Sequence, residues 1–263
     1  MLMPLVKSVM PFRDHFSEQA KDYARHRPTY PAAMFAYLAS LAPTRELAWD
    51  CGTGNGQAAL ALAEQFDHVI ATDASATQIE NAFPHERVEY RIEPSERTTL
   101  LSNSVDLVTV GTAVHWFDFD PFYTEVRRVS KANGIIAVWT YSLPIIDPTV
   151  DRWLDHFYWD ALKGFWPERI HYLEERYEKL PFPFEEIQPP TFEMEADWDA
   201  DDLFGFLASW SAVRKLVVAQ GEAAFEDQAR ELASIWGKPE RKKIRWRLYF
   251  RSGFPQMLAN SLA

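Results

Sequence analysis

Apolar positions along this chain follow two rhythms, and the change falls near residue 141. Before it, short apolar runs alternate with helical patterns. "ELAWDC" (46–51), "HVIATD" (68–73), "VEYRI" (88–92), "VDLVTVG" (105–111) and "NGIIAVWTY" (133–141) predict five strands. The last is entered through a turn at Asn133-Gly134. Between the strands, helical spacing predicts helices over about 56–65, from Ser75 onward and over 120–130. Upstream, "DHFSEQAKDYARH" (14–26) predicts a helix with Asp14 as N-cap. Pro28 and Pro31 end it, and a second helix spans 32–41. Strands that alternate with helices imply right-handed βαβ units and a parallel sheet, and the unbroken apolar "VDLVTV" suits burial on both faces.

After residue 141 the pattern becomes helical and aromatic over 148–180, then breaks at the proline cluster "LPFPFEEIQPP". "TFEMEADW" (191–198) alternates as a strand, and 199–216 and 222–236 read as helices. In "RKKIRWRLYFR" (241–251), Ile244, Trp246, Leu248 and Phe250 fall at every second position, as on a strand with one buried face. The chain therefore divides into an α/β core over 1–141, a largely helical region over 142–240 and a final strand within 241–263.

The stretch "LAWDCGTGNGQAALAL" (47–62) carries the chemistry. Strand one ends in Asp50, and Gly52, Gly54 and Gly56 follow at alternate positions before a helix begins. In a parallel sheet, ligands sit beyond the carboxyl ends of the strands beside the switch point, where glycine lets a ligand approach the backbone. A dinucleotide fingerprint needs G-x-G-x-x-G, which puts its third glycine at Gln57. The spacing here is D-x-G-x-G-x-G. An acid before the first glycine suits a cationic ligand better than a pyrophosphate, and S-adenosylmethionine carries an amino group and a sulfonium but no phosphate. Asp73, ending strand two, is placed to accept hydrogen bonds from ribose hydroxyls. Ser95 and Glu96 follow strand three, where an adenine would rest. His115 and Trp116 follow strand four at the floor of the same crevice.

Composition narrows the partners. The net charge of -11 over 263 residues repels a phosphate backbone, so a nucleic-acid partner is not expected. One cysteine, Cys51, leaves no internal disulfide and no cysteine-based zinc site; it is expected to pack beneath the loop. No His/Cys/Asp grouping has metal-ligand spacing, so no metal is expected. The apolar start "MLMPLVKSVMPF" is too short for a signal peptide, and no apolar run is long enough to span a bilayer. The expected location is cytoplasmic. Met1, Met3 and Met10 leave the start open, and nothing in the pattern bears on oligomeric state.

Asp50 to Gly56, Asp73, "FSEQAKDYARHRPTYP" and "AVHWFDFDPFYTEVRRVSKANGIIAVW" together resemble the class I S-adenosylmethionine-dependent methyltransferases. The similarity is to the methyltransferase type 11 branch that includes trans-aconitate methyltransferases and related small-molecule enzymes. It covers residues 12–141 well, and the later stretches "LPFPFEEI", "SWSAV" and "WRLYFRSGF" are similar to members of the same branch. Ser95-Glu96-Arg97 departs from the family's usual Ala-Glu-Asp, and Asn133-Gly134 replaces Pro-Gly. The resemblance implies a Rossmann-like, seven-stranded, mostly parallel sheet with helices on both faces. Its sixth strand would lie at 191–196, its antiparallel seventh at 243–251, and a helical cap over 147–180. It implies S-adenosyl-L-methionine as cofactor. The N-terminal segment would fold over it as a lid, bringing Tyr23 and Arg27 to the cofactor and Tyr30 to the substrate.

The reading is methyl transfer to a small molecule, with a carboxylate as one acceptor. Such an acceptor needs no base; a hydroxyl would need one, and His115 is the nearest candidate. Trp116 would wall the site or face the sulfonium. Trp210 and Arg214 are candidates for binding an acidic substrate. The aromatic set around Trp153, Tyr158 and Trp166 reads more readily as cap core than as a substrate cage. Alternatives are a tRNA or protein methyltransferase, a non-catalytic binding protein of the same fold, and an NAD-dependent oxidoreductase.

Overall fold

The computed structural model describes residues 28–238 and 240–256. Helix α1 (Ala32–Leu41) leads into β1 (Leu47–Cys51), α2 (Gln57–Ala63), β2 (His68–Asp73), α3 (Ala76–Glu80), β3 (Val88–Ile92), β4 (Val105–Gly111), α4 (Phe119–Val129) and β5 (Ser130–Tyr141). Then come α5 (Pro148–His156), α6 (His171–Glu174), β6 (Glu185–Ile187), β7 (Glu193–Trp198), α7 (Ala200–Ala208), α8 (Ser211–Gln220), α9 (Glu222–Trp236) and β8 (Lys242–Phe254). The five strands expected before residue 141 all form.

The sheet runs β3-β2-β1-β4-β5-β8-β6, with β7 paired to the first half of β8. Pairs among β1 to β5 are parallel, and those made by β8 are antiparallel. Strand order reverses between β1 and β4, which is where an open α/β sheet leaves a crevice. The sheet has eight strands where seven are expected, because the sixth is divided. Pro189 and Pro190 supply no N–H to a ladder, so pairing stops at Ile187↔Ser252 and resumes at Glu193↔Arg247.

Alternation along β5 builds two cores. Ile135, Ala137 and Trp139 join α1 and α2 on one face, whereas Ile136 and Val138 join Phe122, Val126 and Val129 of α4 on the other. Full burial of each aliphatic side chain contributes roughly 1.5–3 kcal/mol. The helices after residue 141 extend the first core: Ile244, Trp246 and Leu248 of β8 are buried with Phe206 and Phe157, while Lys243, Arg245 and Arg247 are exposed. That is the alternation read from the sequence.

Two expected helices are broken. The one over 199–216 stops at Trp210, whose backbone is extended (φ -70°, ψ 138°). Ser209 Oγ donates to the Phe206 carbonyl at 2.6 Å, and the Trp210 ring packs on Phe157, Tyr158, Phe206 and Trp166. Packing of one large ring overrides a local preference worth tenths of a kcal/mol per residue. The helix expected over 148–180 is reduced to α5, a π-helical turn at Phe157–Ala161 and, beyond Gly164 and Pro167, the single turns around α6. No helix among the described residues is long and apolar enough to cross a membrane.

Candidate active site

The glycine loop between β1 and α2 shapes one end of a cavity of about 580 Å³ at the carboxyl ends of the strands. Gly52, Gly54 and Gly56 have φ of 67°, 57° and 92°, a region that L side chains rarely adopt. They serve two purposes, and a Cβ on Gly52 would meet the Ala113 Cβ at 2.7 Å, so Gly52 is needed for clearance. A Cβ on Gly56 would lie 2.1 Å from Tyr90 Oη, so Gly56 is there for packing and does not line the cavity. A Cβ on Gly54 would meet only Gln78 Oε1, at 3.8 Å, so its missing side chain leaves room for a ligand.

Two carboxylates frame that opening. Asp73, at the end of β2, accepts from the Gly54 N–H (2.9 Å) and the Ser75 N–H (2.8 Å), which fixes it with further lone pairs to offer. Asp50 is 1% exposed and accepts from Thr53 Oγ1 (2.5 Å) and Thr109 Oγ1 (2.8 Å). Burial raises its pKa to about 6, against the pull of those hydroxyls, and the Asp73 charge adds to the rise. A cationic ligand beside such a group would favour its ionised form. Asn55 Nδ2, buried and without a protein partner, belongs to a residue lining the same end. An open glycine cradle, a fixed carboxylate and a second awaiting a positive charge fit the ribose and methionyl amino group of S-adenosylmethionine. Cys51 packs beneath the loop, and burial pushes its thiol well above the usual value, so it stays protonated.

His115 and Trp116 sit on a 3-10 turn just past β4 (Val114–Trp116), and both line the cavity. Arg169 ties this turn down, donating from Nη1 to the Phe117 carbonyl at 2.6 Å and the His115 carbonyl at 3.4 Å. Trp116 is 53% exposed at the mouth. His115 is 2% exposed, and its Nδ1 lies 2.9 Å from Tyr177 Oη. Burial, with the Arg169 charge beside it, lowers its pKa to about 3. The general-base role weighed from the sequence therefore meets a neutral and very weakly basic imidazole.

The far end of the cavity is built after residue 141. Tyr158, Trp166 and Trp210 pack on one another with ring centroids 4.5 to 5.7 Å apart, so they fill space as core, with one side facing the cavity. Arg176 and Arg214 line this end without a carboxylate partner among the described residues, and Arg176 lies over the Tyr249 ring at 5.1 Å. Glu174 is there too, near Tyr158 Oη (3.4 Å).

Thus Asp50, Gly52, Gly54, Asp73, Tyr30, His115, Trp116, Trp210 and Arg214 meet around one cavity. Ser95 and Glu96 do not line it: Ser95 is buried, and Glu96 Oε1 accepts the Asp118 N–H that starts α4 (3.1 Å). Tyr23 and Arg27 lie outside the described residues. Sequence reading missed Asn55, Arg176 and Tyr177. Asn55 stood inside the glycine motif and was legible there. Arg176 and Tyr177 follow a single helical turn with no spacing signal.

The comparisons agree with this geometry. A family model described as "Methyltransferase domain" matches residues 49–138. A Dictyostelium discoideum protein named as a methyltransferase is 34% identical over 212 residues, which cover 79% of this chain and 81% of that one. The malonyl-[acyl-carrier protein] O-methyltransferase of a Methylovorus species is 31% identical over 110 residues, covering 38% of this chain and 37% of its own length. A solved structure from Anaeromyxobacter dehalogenans, named as a type II methyltransferase, superposes with a TM-score of 0.80 at 42% identity and covers 87% of this chain and 98% of that one. The chain belongs to the class I S-adenosylmethionine-dependent methyltransferases.

Proposed function

We propose that this protein methylates an oxygen of a small molecule, a carboxylate being the acceptor class its cavity suits best. The observation that carries the reading is the division of charge along one cavity: Asp50 and Asp73 beside the glycine loop, and Arg176 and Arg214 on the part built after residue 141, where Glu174 offsets one of the two positive charges. When bound, S-adenosylmethionine would supply an electrophilic methyl group on a sulfonium. In this reading Asp73 would receive the ribose hydroxyls and Asp50 would meet the positive amino group. Arg176 and Arg214 would hold the acceptor's anionic group through charge-assisted hydrogen bonds. A carboxylate held there would already be anionic and would displace the neutral thioether from that methyl carbon, so the lining residues would need to supply no base. The aromatic walls exclude water, and alignment of the two reactants supplies most of the acceleration. The relative named for O-methylation of a malonyl group supports the same acceptor atom. The net charge of -11 favours a small molecule over tRNA.

The test is a calorimetric titration with S-adenosylmethionine and S-adenosylhomocysteine, with NADH as control, followed by a screen of small carboxylic acids with labelled methyl donor. Binding of the first two at micromolar concentration and incorporation of label into an acid are expected. Binding of NADH alone would overturn the methyl-transfer reading; labelling of RNA in place of acids would overturn the acceptor.

A further inference from the structure

Arg176 and Tyr177 are consecutive residues in the left-handed region, at φ 55° and 61°. Neither is the glycine or asparagine that usually takes this conformation after a helix, because an L side chain there crowds the following carbonyl. The fold holds them there. The Arg176 and Tyr177 N–H groups donate to the carbonyls of Leu173 and Tyr172 at 2.8 Å each. Arg251 of β8 donates to the carbonyls of Tyr177 and Leu180 at 3.1 and 3.0 Å. Strain held by several independent contacts points toward function. One consequence is visible: Arg176 lines the cavity while its neighbour Tyr177 is fully buried behind it, with its hydroxyl on His115.

That hydroxyl has one hydrogen-bond partner among the described residues, His115 Nδ1 at 2.9 Å. A buried O–H that donates to nothing loses its hydration without return. Burial pushes the phenol's pKa well above its usual value, so the oxygen keeps its proton. The proton must therefore point at Nδ1, which accepts it only if the neutral imidazole carries its own hydrogen on Nε2. Nε2 has no protein partner among the described residues, and the ring belongs to the cavity wall.

We infer that Tyr177 is a positioning residue that locks His115 as the Nε2–H tautomer, making His115 a hydrogen-bond donor to an oxyanion of the acceptor and not its base. Arg176, from the same strained turn, adds positive charge to that end of the cavity. A hydroxyl that must lose its proton finds no acceptor in such a ring, whereas an oxygen already anionic finds a donor. The oxyanion half of the inference rests on the proposed methyl-transfer function; the tautomer half does not.

The experiment uses the full chain with 15N-labelled histidine at pH 7. Long-range proton–nitrogen correlation distinguishes the two neutral tautomers and the imidazolium, and His115→Gln assigns the signal by its loss. The expected spectrum has His115 protonated at Nε2 and bare at Nδ1. A proton on Nδ1, or an imidazolium, overturns the inference. Formate, acetate and benzoate are then titrated with S-adenosylhomocysteine present, and at least one should shift the Nε2–H proton downfield. No shift with any of the three overturns the oxyanion role. Tyr177→Phe should convert the single tautomer into a mixture. If that variant does not fold, the wild-type spectrum alone decides the tautomer. Calorimetric heat from S-adenosylhomocysteine in the same sample reads the cofactor assignment separately, so the two can fail independently.

Discussion

One part of the cavity carries two acids and the other two arginines with a single acid, Glu174, and the two are built on different kinds of scaffold. The glycine-loop end is made of backbone and short acidic side chains on strand ends: Asp50 on β1, Asp73 on β2 and the open Gly54 between them. The far end is made of long or bulky side chains from single turns and helix starts, among them Arg176, Arg214, Trp210 and Trp166. A sheet edge fixes its ligand groups to within the register of its hydrogen bonds, so it suits a cofactor that never changes. The far end relies on packing and on strained turns, which can be rebuilt without disturbing the sheet.

The sharpest way to break this comparison is at Asp73 and Gly54. Replacing Asp73 with Ala removes the fixed acceptor, and Gly54→Val fills the open cradle in a backbone region that valine tolerates poorly. Each should weaken S-adenosylmethionine binding about a hundredfold, as loss of hydrogen bonds to a charged partner does, while the far end is unaltered. Calorimetry checks this, with a thermal melt to show that the chain still folds. Unchanged affinity in both would mean that the glycine-loop end is not the cofactor end.

Arg176→Ala and Arg214→Ala probe the other half with a smaller effect. Each should raise KM for an acid methylated in the screen about tenfold, since a hydrogen bond to a charged group contributes about 1.5–3 kcal/mol and exposure reduces it. Calorimetric affinity for S-adenosylmethionine should not move. A change in cofactor affinity of the same size would erase the division between the two ends.

The same division marks what was legible in the chain. Asp50, Gly52, Gly54 and Asp73 could be read because strand ends and positive-φ turns restrict the residue locally, and the restriction shows as spacing. Gly56 carries the same mark for another reason, clearance of the Tyr90 hydroxyl. Ser95 and Glu96 were placed by their order after β3, but Glu96 caps the backbone of α4 instead. Arg176 and Tyr177 were illegible because their left-handed backbone runs against local preference and is enforced by Arg251, distant in sequence. The break at Trp210 and the division of the sixth strand at Pro189-Pro190 differ in the same way. The second was written in the prolines; the first appears only once the surrounding rings are assembled.

The last prediction concerns Asp50, and it sharpens the comparison by sign. Its pKa is raised by burial from 3.8 to about 6, so between those values the folded chain holds a proton that the unfolded chain has lost. This group's stabilising contribution is therefore fully present below 3.8 and is lost as pH rises through about 6. By pH 7.5 the buried, uncompensated carboxylate costs the ligand-free protein about 2–3 kcal/mol. A cationic ligand favours the ionised form, so affinity for S-adenosylmethionine should run the other way and fall as pH drops from 7.5 to 5. Urea melts of the ligand-free chain and calorimetry across that range measure both slopes, and Asp50→Asn, which cannot ionise, should flatten each relative to the wild type. Equal slopes in variant and wild type would show that Asp50 does not titrate there and that the positive charge of the ligand is met elsewhere.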